Sequence, residues 1–189
     1  EGALFHGLLV YLPATAGLAL ISEPFIRLIF GEQYLGAVPI LRIMMIYALM
    51  LAVSTLTSDA LDYLGRARER SIIRTVSAVA NVVLNVILIP WIGVEGAALA
   101  TVVTYSAYTF VTVYLMLSEM EIRVIGLIRS LGSVFFVIGG MSTVVFVLTK
   151  YITNFFTLFL VVFLGISVWA VLSVSLGLLN LREITSLVQ

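Results

Sequence analysis

The chain consists mainly of apolar stretches that are each long enough to cross a lipid bilayer. A helix rises about 1.5 Å per residue, so about 20 residues span the hydrocarbon core. Of the residues, 62% are hydrophobic and 11% are charged, whereas a soluble domain carries about a quarter charged residues. We therefore predict an all-α integral membrane protein, a bundle of six transmembrane helices. The predicted spans are residues 4–21, 39–64, a third ending at Pro90, 96–117, 131–148 and 155–179.

A cluster of arginines lies between the second and third spans. Arg66, Arg68, Arg70 and Arg74 are four of the ten cationic residues in the chain. Lysine and arginine are enriched in short cytoplasmic loops of membrane proteins, so Arg66, Arg68 and Arg70 predict a cytoplasmic loop. The resulting topology is that of a multi-pass protein of the cell membrane with both chain ends cytoplasmic. It places seven cations inside (Arg66, Arg68, Arg70, Arg74, Arg123, Arg129, Arg182) and three outside (Arg27, Arg42, Lys150).

Two asparagines interrupt the apolar third helix. Asn81 and Asn85 are four residues apart, so they share one helix face, roughly midway along the span. Hydrocarbon offers an amide no hydrogen-bond partner, so this face should contact another helix or a hydrated cavity. Two interpretations stay open, hydrogen bonds between helices and contacts with a substrate.

The fourth helix combines small residues with a stripe of hydroxyl groups. Gly96, Ala100 and Thr104 recur at every fourth position, a pattern that lets two helix backbones approach closely. The five-residue connection 91–95 should make the third and fourth helices antiparallel neighbours, so we expect close packing between them. The hydroxyl groups either line a polar cavity or bond to partner helices; they belong to Tyr105, Tyr108, Thr109 and Thr112.

Prolines and glycines predict where helices bend and stop. Pro13 should kink the first helix. Ser22, with Pro24 in the first turn, predicts the start of a short interfacial helix or of a helix extension, which Gly31 should end. In the fifth helix the pair 139–140 is a predicted site of close packing or bending. Before that helix, residues 118–130 predict an amphipathic connector on the headgroups.

Charged residues near helix ends have both ordinary and functional interpretations. Arg42 is either a snorkelling arginine at the outer interface or a cation that faces an anion or a cavity. Asp62 precedes Arg66 by four residues, a spacing that favours a weak ion pair. We interpret Asp59 and Asp62 as solvated groups rather than catalytic carboxylates, because nothing nearby supplies a nucleophile or a metal.

The composition argues against several classes of function. The net charge is zero, with ten acids and ten bases, so nucleic acid is not an expected partner. The chain has no cysteine and a single histidine, His6, which makes a metal centre or a Ser-His-Asp triad implausible. We therefore predict no enzyme activity and no cofactor. Because the chain begins with Glu1 rather than Met, we expect it to be a piece of a longer protein without its N-terminal part.

Three segments resemble one transporter family in their order and spacing. They are PFIRLIFGEQYLGAVPILRIM, LDYLGRARERS and ANVVLNVILIPWIGVEGAALATVVTYS. They are similar to the C-terminal region of polysaccharide-export flippases, which act on O-antigen and other lipid-linked oligosaccharides, in the multidrug/oligosaccharidyl-lipid/polysaccharide exporter superfamily. The resemblance covers residues 4–117, and the last two helices match by topology alone. The elements that carry it are Gly31, Gly65, Asn81, Asn85, Pro90, Gly93, Gly96, Ala97 and Ala98.

The resemblance implies a secondary transporter that flips lipid-linked oligosaccharides across the cytoplasmic membrane by alternating access, for cell-surface polysaccharide synthesis. It implies that residues 1–118 form a four-helix export-type domain and that residues 119–189 form a connector and two trailing helices. The expected partners are the lipid bilayer, the lipid-linked oligosaccharide and a missing N-terminal lobe. As candidate substrate contacts, Arg42 and Arg74 would hold phosphate, and Asn81, Asn85 and Tyr105 would bond to sugar.

Three other functions remain alternatives at this level. A drug or cation antiporter of the same superfamily would favour an acidic residue deep inside the bundle. A membrane-embedded glycosyltransferase would need an acid cluster in a sizeable loop, and no loop here is long enough. A membrane scaffold without transport is the third alternative, and the polar residues of the third and fourth helices argue against it only mildly.

Overall fold

The computed structural model describes residues 2–119 and 124–178. It confirms the all-α prediction, because the described residues form helices and turns without a strand, and six helices are long and apolar enough to span a membrane. The α-helices are α1 (Gly2–Ile29), α2 (Val38–Tyr63), α3 (Ala67–Ile92), α4 (Val94–Glu119), α5 (Val124–Thr149) and α6 (Phe155–Ser175), and a 3-10 helix covers Glu32–Ala37.

The helices pack in a row whose order differs from the order of the chain. From one side to the other the row is α3, α4, α2, α1, α5 and α6, and α6 also contacts α1. Successive helices run in opposite directions, so the turns gather at two ends. We call them the Arg66 end, where α2 meets α3, and the Gly93 end, where α3 meets α4. The α5–α6 side has its own apolar core, made of Ile21, Met141, Val145, Leu158 and Val161.

α1 is longer than a single span and continuous. Pro13 and Pro24 both lie inside it, so the segment after Ser22 is a helix extension and not a separate interfacial helix. Ser22 does not act as an N-cap, because its hydroxyl donates back to the carbonyl oxygen of Ala19 at 2.8 Å within the same helix. The helix ends at Gly31, as predicted, where φ is +100° and a side chain would be strained.

The connections around α3 are shorter than the sequence suggested. Arg66 precedes the first residue of α3, and Arg68 and Arg70 lie in its first turn, so the predicted arginine loop is mostly helix. At the other end α3 passes through Pro90 to Ile92, because only the proline's own N–H is lost and the amide of Gly93 still bonds to the Ile89 carbonyl at 2.8 Å. Gly93 alone then links α3 to α4, with φ of +64°.

α3 and α4 pack closely and antiparallel, as the small-residue row predicted. A Cβ at Gly96 would lie 2.6 Å from the carbonyl oxygen of Leu88 in α3. Ala100 and Thr104 continue this contact and are both buried. Away from α4 the surface of α3 is open, and none of its residues is buried.

α5 and α6 differ from the prediction mainly at their ends. α5 begins at Val124, so residues 124–130 belong to this helix and not to a separate connector. A Cβ at Gly140 would lie 2.9 Å from Leu172 of α6, whereas Gly139 faces open space, so close packing is confirmed for Gly140. α5 continues through this pair as helix. Residues 120–123 and 179–189 lie outside the described part, as do the side chains of His6 and Arg129.

Candidate functional site

The two asparagines of α3 belong to a hydrogen-bonded network with α4. The Asn81 amide nitrogen donates to the Thr104 hydroxyl at 3.2 Å, and the Asn85 amide nitrogen donates to the Asn81 carbonyl oxygen at 2.9 Å. One turn earlier, the Ser77 hydroxyl donates to the Thr104 backbone carbonyl at 2.8 Å. Asn81 therefore bonds across the helix pair, whereas the Asn85 amide bonds only within its own helix.

The Thr104 hydroxyl determines which atoms donate and which accept in the two asparagine hydrogen bonds. Its one hydroxyl proton is directed at the Ala100 carbonyl, 2.8 Å away, so the Thr104 oxygen must accept from the Asn81 nitrogen. The Asn81 oxygen is then turned toward Asn85 and must accept from the Asn85 nitrogen. The carbonyl oxygen Oδ1 of Asn85 is consequently left over: it is buried and has no donor among the described residues.

Tyr105 directly follows Thr104 and so lies on a neighbouring face of α4, about 100° around the helix, where it meets α2. Its hydroxyl is 2.8 Å from the hydroxyl of Ser54 in α2, and its ring packs edge-on against Tyr47 with centroids 4.9 Å apart. The hydroxyl of Tyr108 is 3.4 Å from Ser58. Tyr105 therefore contacts α2, while Asn81 and Asn85 contact α4 from α3.

The rest of the hydroxyl stripe also bonds to protein groups. Thr109 donates to the Tyr105 carbonyl and approaches the Met50 carbonyl of α2 at 3.4 Å. Thr112 donates within α4, to the Tyr108 carbonyl at 3.0 Å. Of the two interpretations left open by the sequence, bonding to protein partners is the one that the geometry favours, and the α2–α4 contact is where it occurs.

Arg42 and Arg74 lie in separate parts of the bundle. Arg42 donates from Nε to the hydroxyl of Ser22 in α1, at 2.9 Å, and faces a cavity between α1, α2 and α5. Arg74 is exposed on α3, and no hydrogen bond or ion pair joins it to another described residue. Asn81 is seven positions further along α3, which is about two helical turns, so both residues lie on one stripe of the helix. The structure thus brings Arg74, Asn81 and Asn85 onto one helix face and leaves Arg42 and Tyr105 elsewhere.

The remaining arginines of the cluster form ion pairs at the Arg66 end. Arg66 contacts Glu69 at 2.7 Å and Glu119 of α4 at 2.5 Å, and the hydrogen bonds that its guanidinium donates to these two carboxylates raise the pKa of Arg66 above its ordinary value. Arg70 forms two parallel bonds with Asp62, at 2.9 and 2.8 Å. The sequence-based pairing of Asp62 with Arg66 was wrong, because the short turn brings the first turn of α3 back over the end of α2.

The acidic residues do not form a buried or metal-binding site in the described part. Each acid whose side chain is described is exposed or half-buried, and no group of three potential metal ligands occurs there. Asp59 is exposed at the end of α2, in keeping with its interpretation as a solvated group.

Two hydrogen-bond partners of candidate site residues were not predicted from the sequence. Thr104 fixes the amide of Asn81, and its position in the small-residue row opposite α3 was a usable signal. Ser22 fixes Arg42, and no local pattern indicates it, because the two residues are 20 positions apart and meet only when α1 and α2 pack.

Comparison with known proteins finds two distant relatives. A 105-residue segment, 56% of this chain, is 29% identical to an uncharacterized membrane protein of Methanocaldococcus jannaschii and covers 21% of that protein. A 123-residue segment, 65% of this chain, is 25% identical to a Haloferax volcanii protein named as a probable low-salt glycan biosynthesis flippase and covers 26% of it. The matched part of the chain therefore spans about a fifth to a quarter of these relatives. No family model and no solved structure matches the chain.

These relatives and the fold agree at a coarse level. The chain is a multi-pass membrane protein, helical throughout its described spans, and is distantly similar to a protein named as a probable flippase.

Proposed function

We propose that this chain is part of a secondary transporter that flips lipid-linked oligosaccharides across the cell membrane by alternating access, for the synthesis of cell-surface polysaccharide. A distant relative named as a probable low-salt glycan biosynthesis flippase supports the substrate class. Six membrane-spanning helices support transport. In this proposal residues 1–118 form the export-type domain, residues 119–189 supply the connector and two trailing helices, and an N-terminal lobe completes the transporter.

The observation that carries the proposal is the free carbonyl oxygen of Asn85. It lies about two turns from the Gly93 end of a membrane-spanning helix and is buried without a donor among the described residues. An unsatisfied buried acceptor costs about 1–3 kcal/mol, so a ligand O–H group that reaches this oxygen, after a shift of the side chains that cover it, gains free energy. Sugar hydroxyls are such donors, and an oligosaccharide carries several of them.

The position of Arg74 adds a second contact of the right chemistry. It lies on the same stripe of α3, about 10 Å closer to the Arg66 end than Asn81 at 1.5 Å per residue. Its guanidinium makes no ion pair with a described residue, and arginine binds phosphate oxygens with two parallel hydrogen bonds. We therefore assign the diphosphate to Arg74 and the adjoining sugars to the Asn85 carbonyl oxygen and to the second N–H of the Asn81 and Asn85 amides.

Tyr105 and Arg42 have different positions in this proposal. The hydroxyl of Tyr105 is engaged by Ser54, so we treat Tyr105 as a packing residue of the α2–α4 contact. Arg42 is held by α1 on the far side of α2, so we leave it out of the sugar path.

The test is a flipping assay with the full-length gene product in proteoliposomes. The vesicles contain a fluorescent lipid-diphosphate-linked oligosaccharide, and a membrane-impermeant glycosidase reports how much sugar is on the outer face. We expect rapid equilibration with the unmodified protein and about tenfold slower flipping with Asn85→Leu, because one hydrogen bond in a buried site is lost. Val86→Leu, on a neighbouring residue that is 70% exposed, is the matched control.

Two results would contradict the proposal at different points. If the unmodified protein leaves the sugar on one face, the substrate assignment is wrong; efflux of organic cations driven by protons or sodium would then favour the antiporter. If the protein flips the oligosaccharide but Asn85→Leu and Arg74→Gln both match Val86→Leu, the transport assignment stands and the α3 site is wrong.

A further inference from the structure

A cavity at the Gly93 end combines a charged rim with an apolar wall. It has a volume of about 780 Å³ and lies between α1, α2 and α5. Its charged lining residues are Glu23, Arg42 and Lys150, and its apolar lining includes Leu20, Phe146 and Val147. We call this space the Arg42 cleft.

The net charge of the rim is positive. Glu23 forms an ion pair with Arg27 at 2.9 Å, which compensates its carboxylate. Arg42 and Lys150 have no carboxylate within ion-pair distance among the described residues. The Lys150 ammonium lies 5.0 Å from the ring centroid of Tyr151, a contact that holds the cation and leaves its N–H donors free. Two uncompensated cations therefore face one cleft.

Arg42 is oriented by a buried group and keeps donors available. Its Nε donates to the hydroxyl of Ser22, which is fully buried and which donates its own proton to the Ala19 carbonyl. No described residue accepts a hydrogen bond from the two terminal nitrogens of Arg42. These nitrogens form the planar fork that binds two oxygens of a phosphate group at once.

The apolar wall decides which kind of phosphate fits. Phe146 and Val147 lie about one turn inside Lys150, toward the middle of the membrane, and are 69% and 50% exposed. Leu20 lies about one turn inside Glu23 on α1. Inorganic phosphate gains nothing from such a wall, whereas a lipid places its headgroup at the cations and its acyl chain along the apolar side chains.

We propose that the Arg42 cleft binds the phosphate headgroup of an anionic membrane lipid. The phosphate lies between Arg42 and Lys150, Ser22 holds the arginine in place, and the acyl chain runs along Phe146 and Val147. The bound lipid bridges α1, α2 and α5 at this end of the bundle. This lipid site does not depend on the proposed transport function, so a test of the lipid site does not test oligosaccharide flipping.

Native mass spectrometry of the full-length gene product in detergent tests the site with phosphatidylglycerol as the probe. We expect Arg42→Gln and Lys150→Gln each to weaken phosphatidylglycerol binding about tenfold, because each removes a charge-assisted contact. Ser22→Ala leaves the charge unchanged and should weaken binding by a smaller factor, because Arg42 loses its orientation. Arg68→Gln removes an exposed cation from the Arg66 end and is the matched control.

Two further arms distinguish the ligands. Phosphatidylcholine should bind more weakly, because its choline cation meets the cationic rim, and excess inorganic phosphate should not displace phosphatidylglycerol. The proposal is overturned if the Arg42 and Lys150 variants bind like Arg68→Gln, if the two lipids bind equally, or if inorganic phosphate displaces the lipid. Circular dichroism of each variant confirms that a loss of binding occurs in a folded protein.

Discussion

The backbone carbonyl oxygen of Leu88 in α3 lies directly against Gly96 of α4, where a Cβ would be only 2.6 Å away. A contact of this kind exists only because glycine has no side chain. The two helices are joined by one residue, Gly93, so they cannot separate locally to make room. The network of Asn81, Asn85 and Thr104 lies along the same contact, and its distances depend on this close approach.

We expect Gly96→Ala to destabilise the protein by about 1–3 kcal/mol, because the added methyl group meets backbone atoms that cannot rotate away. The measurement is the thermal unfolding midpoint of the full-length gene product in detergent. Gly139→Ala makes the same change in another helix, at a position that faces open space, and should leave the midpoint unchanged or raise it slightly. Equal midpoints for the two variants would show that the α3–α4 contact is looser than a 2.6 Å approach implies.

Asn81 and Asn85 should differ in their effect on stability. Asn81→Leu removes the bond to Thr104 between helices and should lower stability by about 1 kcal/mol. Asn85→Leu removes a bond within α3 and also removes the unsatisfied carbonyl oxygen, so the two effects offset each other. The same unfolding assay should therefore show a lower midpoint for Asn81→Leu and an unchanged midpoint for Asn85→Leu. The reverse order would mean that Asn85 is the main contact between helices.

The ion pair between Arg66 and Glu119 should connect the α2–α3 turn to the end of α4. Glu119→Arg places a like charge beside Arg66, and we expect a lower unfolding midpoint at low ionic strength. Because exposed charges are screened by salt, the difference should shrink at high ionic strength. The double variant Arg66→Glu with Glu119→Arg restores opposite charges and should recover part of the loss. No recovery would show that the pair does not contribute.

The predicted orientation can be tested with single cysteines, since this chain contains none. Arg68→Cys lies at the Arg66 end and Tyr151→Cys at the Gly93 end, and both positions are exposed. The excess of arginine at the Arg66 end predicts that this end is cytoplasmic. In intact cells expressing a cysteine-free full-length background, a membrane-impermeant maleimide should label Tyr151→Cys, and Arg68→Cys should react only after permeabilisation. Labelling in the opposite order would invert the topology.

Much of the fold was predictable from local sequence. Apolar stretches of about 20 residues form helices in a bilayer because every backbone group must be satisfied within the segment. The stop at Gly31 followed from the glycine, and the close packing at Gly96 followed from the row of small residues that it begins. The errors occurred at helix ends: α1 and α3 run on past Ser22 and Pro90, because one lost or weakened backbone bond does not end a helix whose next amides still find partners.

The candidate site could be predicted only in part. The spacing of Asn81 and Asn85 predicted that they share one face of α3, because helix geometry is local. That Arg74 lies on the same stripe was not part of the prediction. The partners of Tyr105 and Arg42 could not be read from their positions, since Ser54 and Ser22 lie 51 and 20 residues away. Tyr105 faces α2 and Thr104 faces α3. Tyr105 is therefore separated from the asparagines, and this depends on how α4 is rotated against its two neighbours.

The sequence by itself therefore determined the helices, their number and the polar residues that each one carries. Tertiary structure decided the order of the row, in which α4 lies between α2 and α3 and α5 packs against α1. The physical reason is that a membrane helix is apolar on nearly every face, so the hydrophobic pattern does not mark the face that packs. Close approach at small residues and hydrogen bonds between polar side chains select the face that packs. Both depend on residues far apart in the chain.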